Sequence, residues 1–466
     1  MRTLPDVTPT PEQLPIISRN RPGIEIIRGA AGSGKTTTAL LRLQALTSSF
    51  VSRKRRESIE GPVRVLVVTY NRTLRGYISK LAERQIATTG DVELKISTFG
   101  RWAMTALRSP TMIENARRER IIQNYARGIN LPSYFLLDEV EYVMGRFMPD
   151  DLELYLTVRR DGRGTSPRVE RSIRESILNQ IIHPYLEWKM REGLMDWNDL
   201  AVALAQETYA GPYDIVITDE TQDLSANQIR AIRNHLAPQH SLTFVIDTAQ
   251  RIYARGFTWT ETGITVRPEN IKQLTRNYRN TVEIARFAIP LIRGIPADDD
   301  FTVPDFTKCD RHGPTPKILK GRFRGQTDFV IRYIRDNVDL ETESVAILHP
   351  LGGGWFSYIK SRFDETGLEY VDISREDEWP DGDENIAFST LSSSKGLEFD
   401  HVFILGLDAQ AMPNDMDEDY EQLVKLRRLL GMGIGRARGS IIIGCKAGAY
   451  RLLTYLDRDT FDEVNV

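Results

Sequence analysis

Short apolar runs of strand-forming residues alternate along the chain with stretches of helical character, and polar residues follow several of these runs directly. Ile24–Ile27 leads into a glycine-rich loop and then a helix-like stretch. VRVLVV (63–68), Ile215–Thr218, LTFVID (242–247) and SVAILHP (344–350) are further strand-like runs, and FSYIKSRFDETG (356–367) is helix-like. Strands this apolar, separated by helical segments, predict an α/β chain whose parallel sheets are covered by helices on both faces. Between Phe99 and Asp196 the pattern turns helical, with many arginines, including Arg117-Arg118, Arg120 and Arg159-Arg160. This segment predicts a helical insertion, and VRRDGRGTSPRVERS (158–172) within it predicts a flexible basic loop.

The polar residues at the strand ends carry the chemistry. Gly29-Ala-Ala-Gly32-Ser33-Gly34-Lys35-Thr36 is a phosphate-cradling loop in its required setting of strand, loop and helix. Its glycines let backbone N–H groups point at phosphate oxygens at the positive end of the following helix. Lys35 is expected to reach the β- and γ-phosphates of ATP, and the Thr36 hydroxyl to hold Mg²⁺. The run Ile215–Thr218 ends in Asp219-Glu220. Asp219 is the expected metal carboxylate, and Glu220 the group that orients or deprotonates the attacking water. Asp247 and Gln250, after LTFVI, are expected to sense the γ-phosphate from the same sheet edge, where ligands of parallel sheets gather.

Taken in order, GAAGSGKT, TDETQD, DTAQRIY, NYRN, SKGLEF and GRAR resemble the motif series of UvrD/Rep-like superfamily 1 helicases. The resemblance covers roughly 11–100, 197–290 and 316–446. It implies two RecA-like P-loop NTPase motor domains with ATP bound between them. The implied division is 1–100 with 197–275 for the first motor domain, 101–196 for a helical accessory insertion, and 276–466 for the second motor domain. By resemblance, Gln13 reads adenine, Tyr278 stacks on it, Glu398 contacts the ribose, and Arg279 and Arg436 act as arginine fingers. Arginine suits that task because charge developing on a transferring phosphoryl group needs planar cationic donors. Thr69-Tyr70-Asn71, Thr98-Phe99 and Thr390 resemble nucleic-acid-contacting segments, which hold single strands through stacking and phosphate contacts.

The sequence departs from that family at several points. Ile252–Gly256 lacks the usual base-stacking tryptophan, with Trp259 falling later. Ser392 stands for a histidine, Gly435 for a threonine and Thr37 for an arginine. Where UvrD and Rep insert a large second accessory domain, only SREDEWPDGDEN (374–385) remains, which implies a compact form. The resemblance implies an ATP-dependent translocase or helicase on single-stranded DNA with 3′→5′ polarity. An RNA-directed motor and an ATP-gated clamp regulating a partner nuclease are the alternatives.

Composition changes this picture little. The 466 residues are 41% hydrophobic and 27% charged, with net charge −3, so a nucleic-acid site must be a local groove. The run Arg53-Lys54-Arg55-Arg56 is expected to be a solvated loop. No apolar run approaches the length of a membrane-spanning helix, which predicts no membrane association. Cys309 and Cys445 show no pairing or metal spacing, and the expected setting is a reducing cytoplasm.

Overall fold

The computed structural model describes residues 9–466 apart from 30–31, 70–71, 86–89, 161–166, 210, 248–255, 278, 296–308, 310, 375, 377–378, 381, 409–419 and 447–452. Thirteen strands form two sheets, in which every pairing among the described residues is parallel. The first holds β1 (Gly23–Gly29), β2 (Val63–Thr69), β3 (Val92–Thr98), β4 (Tyr213–Thr218), β5 (Leu236–Asp247) and β6 (Ile271–Leu274), in the order β3-β2-β4-β5-β1-β6. The second holds β7 (Lys317–Lys320), β8 (Val345–His349), β9 (Val371–Asp372), β10 (Ile386–Thr390), β11 (Phe399–Leu407), β12 (Ala437–Cys445) and β13 (Asp462–Asn465), in the order β13-β7-β12-β11-β8-β10-β9. The predicted α/β class with two parallel-sheet motor domains is therefore found. Inner strands such as β8 are buried at every position because helices cover both faces.

Register aligns the chemistry-bearing ends. Gly29 pairs with Asp247 and Leu274, Thr69 with Thr98, and Thr390 with His349. Parallel strands put these ends along one edge of each sheet. The two halves meet where the Thr73 hydroxyl, on the helix Arg72–Gln85, donates to the carbonyl of Ile373, just after β9, at 2.6 Å.

The helical insertion leaves and rejoins the first sheet at one place, where the Ile113 amide donates to Met195 and the Met195 amide to Thr111. It has an apolar core of its own, including Phe135, Val140, Val143, Ile177 and Ile181. Two of its arginines turn inward to carboxylates, Arg160 among them although it lies at the start of the expected flexible basic loop. Arg160 pairs at 2.6 Å with Glu139, which is fully buried and also accepts from the Tyr155 hydroxyl. Arg118 pairs with Glu141 at 2.7 Å and lies 3.6 Å from Asp196. A buried carboxylate must find such partners, and the nearest long cations supply them. Arg117 does remain half exposed, above the Trp188 ring.

A second expectation is corrected at Arg53–Arg56. These residues form the last turns of the 23-residue helix Lys35–Glu57 rather than a loop. Neither glycine nor proline interrupts that segment, and cations complement the negative end of a helix. Lys54 is tied down there at 2.8 Å from Asp214.

Candidate nucleotide site and strand-binding edge

β1 carries the fully buried Ile26 and Ile27 and delivers Gly29 to the sheet edge, where the helix Lys35–Glu57 begins after a five-residue loop. Gly34 caps that helix at φ +76°, a left-handed conformation that a side chain would strain. A Cβ on Gly32 would meet Asn277 Oδ1 at 2.2 Å, and one on Gly34 would meet Gln13 Nε2 at 2.5 Å. The loop is thus wedged between the two segments assigned to adenine by resemblance. Gln13 is buried and accepts from the Thr10 amide at 2.9 Å. Ser33 Oγ is buried with no hydrogen-bond partner among the described residues. An orphaned hydroxyl in a glycine cradle, at the head of a long helix that begins with Lys35, fits a polyphosphate.

The metal-binding expectation has a matching geometry. Thr36 Oγ1 donates to Asp219 Oδ2 at 2.9 Å, so two hard oxygen ligands of the kind Mg²⁺ takes already face each other. Burial, and then the neighbouring Glu220 charge, push the Asp219 carboxyl up to about 7 against the opposing pull of Thr36 and Lys35. Such a group gains from a cation beside it. Glu220 adopts φ +53°, uncommon outside glycine, and is buried. Burial alone would raise its pKa, but the charges of Lys395, Arg436 and Lys35 outweigh that and hold it below the usual carboxylate range. The same site thus keeps one carboxyl easily neutralised and the other ionised.

The facing wall comes from the connection after β6 and from the second sheet. Arg279 pairs with Glu398 and donates to the carbonyl of Gly435 at 3.2 Å. Glu398 is held below its ordinary pKa: burial raises it, but Arg279, with the charges of Arg438 and Arg436, outweighs that. Arg436 is almost completely buried and donates to the carbonyls of Met432 and Leu397, at 3.2 and 3.3 Å. Lys395 is fully buried, pairs with Asp223 and lies 3.3 Å from Glu220 Oε2. Gln250 and Tyr278 lie outside the described residues.

The candidate strand contacts lie along the sheet edges. Thr69 and Thr98 end neighbouring strands; Thr69 is buried, and Thr98 caps the helix Phe99–Ala106, accepting from the Arg101 amide at 3.4 Å. The Phe99 ring packs on Trp102 in the core, so only its backbone is left to reach a strand. Thr390 ends β10 and bonds to Ser393. Tyr70 and Asn71 lie outside the described residues. Trp259 packs on Phe244 with ring centroids 4.6 Å apart, against the core rather than facing a groove.

Three residues escaped the sequence reading. Lys395 was noted only as part of its motif, because its partners lie far away in sequence. Trp197 is 48% exposed and lies over Gly100, where a Cβ would meet its ring at 2.9 Å. Trp379, inside the acidic segment 374–385, is buried against Tyr77 of the helix Arg72–Gln85, with ring centroids 5.0 Å apart. A tryptophan among six acidic residues was the available signal.

The family model described as the UvrD/REP helicase N-terminal domain matches residues 10–259, and that of the UvrD-like helicase C-terminal domain matches 363–447. One similar solved structure is the C-terminal domain of a possible DNA helicase from Lactobacillus plantarum WCFS1. It is 19% identical, with a TM-score of 0.30, over 40% of this chain and 98% of that one. No curated protein matches.

Proposed function

The chain belongs to the UvrD/REP helicase family, whose members are ATP-dependent DNA helicases, and we propose that it moves 3′→5′ along single-stranded DNA by closing its two motor domains on ATP. The observation that carries this reading is that Glu220, beside the bonded Thr36 and Asp219, meets Lys395 and Arg436 from the facing domain, while Arg279 packs against Gly32 of the glycine loop. Bound Mg²⁺ would supply countercharge to the phosphates. The chain's own residues do the rest: Lys35 binds the β/γ oxygens, Glu220 orients and deprotonates water, and the arginines stabilise the charge that develops on transfer. Gln13, Tyr278 and Glu398 position the nucleoside. Thr69, Thr98 and Thr390 contact the strand, with the exposed Trp197 near Thr98, over Gly100. We assign 1–100 with 197–275 to the first motor domain, 101–196 to the insertion and 276–466 to the second.

The compact second motor domain leaves only the insertion to engage a duplex, so the isolated chain translocates well and unwinds poorly, with a partner protein completing the unwinding machine. No helix among the described residues is long and apolar enough to cross a membrane. ATPase assays without polymer and with single-stranded DNA, duplex DNA or RNA test the reading. Strong stimulation by single-stranded DNA, reduced by salt as phosphate contacts are screened, is expected. Preference for RNA makes it an RNA motor. Slow turnover with tight ATP-dependent retention makes it a clamp of the kind that would regulate a nuclease.

A further inference from the structure

The turn between β10 and β11 carries a candidate strand contact at one end and a fully buried lysine at the other. Thr390 Oγ1 accepts from the Ser393 amide at 3.1 Å, and the Ser394 amide donates to the Thr390 carbonyl at 3.0 Å. The Leu397 amide donates to the Ser394 carbonyl at 3.0 Å, so residues 390–397 form one hydrogen-bonded unit. Gly396 seats the unit on the first motor domain. Its φ is +84°, and a Cβ there would meet Leu74 at 2.7 Å, so only glycine permits this approach. From this seat Lys395 crosses to the first sheet's TDETQD segment, where its ammonium lies between Asp223 and Glu220. A carboxylate oxygen held by an ammonium, with Gln222 donating to the same oxygen, is poorly placed to accept a proton from water.

We propose that Lys395 is the residue that couples strand occupancy to hydrolysis: without a strand it engages Glu220 and restrains it, and a strand bound at Thr390 shifts the turn and withdraws it. The inference rests on the reading of Glu220 as the group that prepares the attacking water. Lys395 is a positioning residue in this account, since it acts through Glu220. Its restraint must be relieved by a movement of about an ångström or two, which a packed interface with two arrangements can deliver.

The test is steady-state ATPase of the full chain with and without single-stranded DNA. Lys395→Met alone would leave Asp223 buried and without its cation, so the informative variant is Lys395→Met/Asp223→Asn, which removes both charges together. Thermal unfolding confirms that it folds, and Lys395→Arg serves as the conservative control. The double variant is expected to raise the strand-free kcat several-fold and to lower the stimulation ratio by the same factor, with KM for ATP little changed. Lys395→Arg is expected to keep a ratio near that of the unaltered protein. A ratio unchanged because both rates fall together, or lowered because only the stimulated rate drops, overturns the proposal. If the unaltered protein itself shows no stimulation by any polymer, it is the translocase reading that fails.

Discussion

On the first sheet's side of the site, the candidate nucleotide groups are already bonded to one another: Thr36 donates to Asp219, and Gln13 donates to the carbonyl of Gly34 at 3.5 Å. On the second sheet's side the charged groups are engaged elsewhere, Arg279 with Glu398, Arg436 with two carbonyls and Lys395 with Asp223. The difference separates two tasks. Binding ATP can rest on groups that one domain fixes as it folds. In the proposed reading, hydrolysis needs those cations to change partners, and such a change would tie chemistry to movement.

Breaking the first side has the largest expected effect. Lys35→Ala removes the closest side-chain cation from the phosphates, and hydrolysis should fall to background. Glu220→Gln should keep ATP binding and slow turnover by about 100-fold or more, the range for a lost general base. Fluorescent-nucleotide titration beside single-turnover hydrolysis separates the two effects. Normal turnover in Glu220→Gln would remove Glu220 from its role and dissolve the contrast between the two sides.

Breaking the second side should leave binding alone. Arg279→Ala and Arg436→Ala are expected to cut kcat by about 100-fold while shifting ATP affinity only slightly, as donors acting mainly in the transition state do. Weak binding with unchanged kcat would make that arginine a ground-state clamp. Arg436 is nearly fully buried, so its variant also needs a melting curve.

The last prediction concerns stability rather than catalysis, and it marks the second domain alone. His349 is buried at the end of β8, stacked on Trp355 at 4.5 Å, and burial lowers its pKa to about 4 despite the opposing charge of Asp408. Its folded pKa lies below the unfolded value, so the fold binds fewer protons there than the unfolded chain. The stability it contributes is therefore complete above about pH 6.5 and lost as pH falls towards 4, up to roughly 3 kcal/mol. Denaturant unfolding at pH 7 and pH 4.5 should show that loss, and His349→Gln should flatten it.

Local signals made much of this molecule readable from its sequence. Runs such as Ile26–Ile27 and Val345–His349 are buried from end to end, and a strand followed by GAAGSGKT and a helix needs no distant information. What stayed hidden depends on partners far along the chain. Lys395 reaches an aspartate 172 residues away, and Arg160 turns inward to Glu139 because burial of a carboxylate elsewhere demands it. The basic run 53–56 reads as a loop by charge, yet helix continuation from Lys35 governs it. Trp379 packs on a helix of the other motor domain, a contact that its acidic neighbours conceal.

Directional movement on a single strand is the central claim, and stopped-flow kinetics on DNA oligomers labelled at the 5′ end tests it most directly. The account predicts a lag before the signal that lengthens in proportion to strand length, requires hydrolysable ATP and is absent when the label sits at the 3′ end. A signal whose timing ignores strand length, or a lag only for the 3′ label, would contradict it.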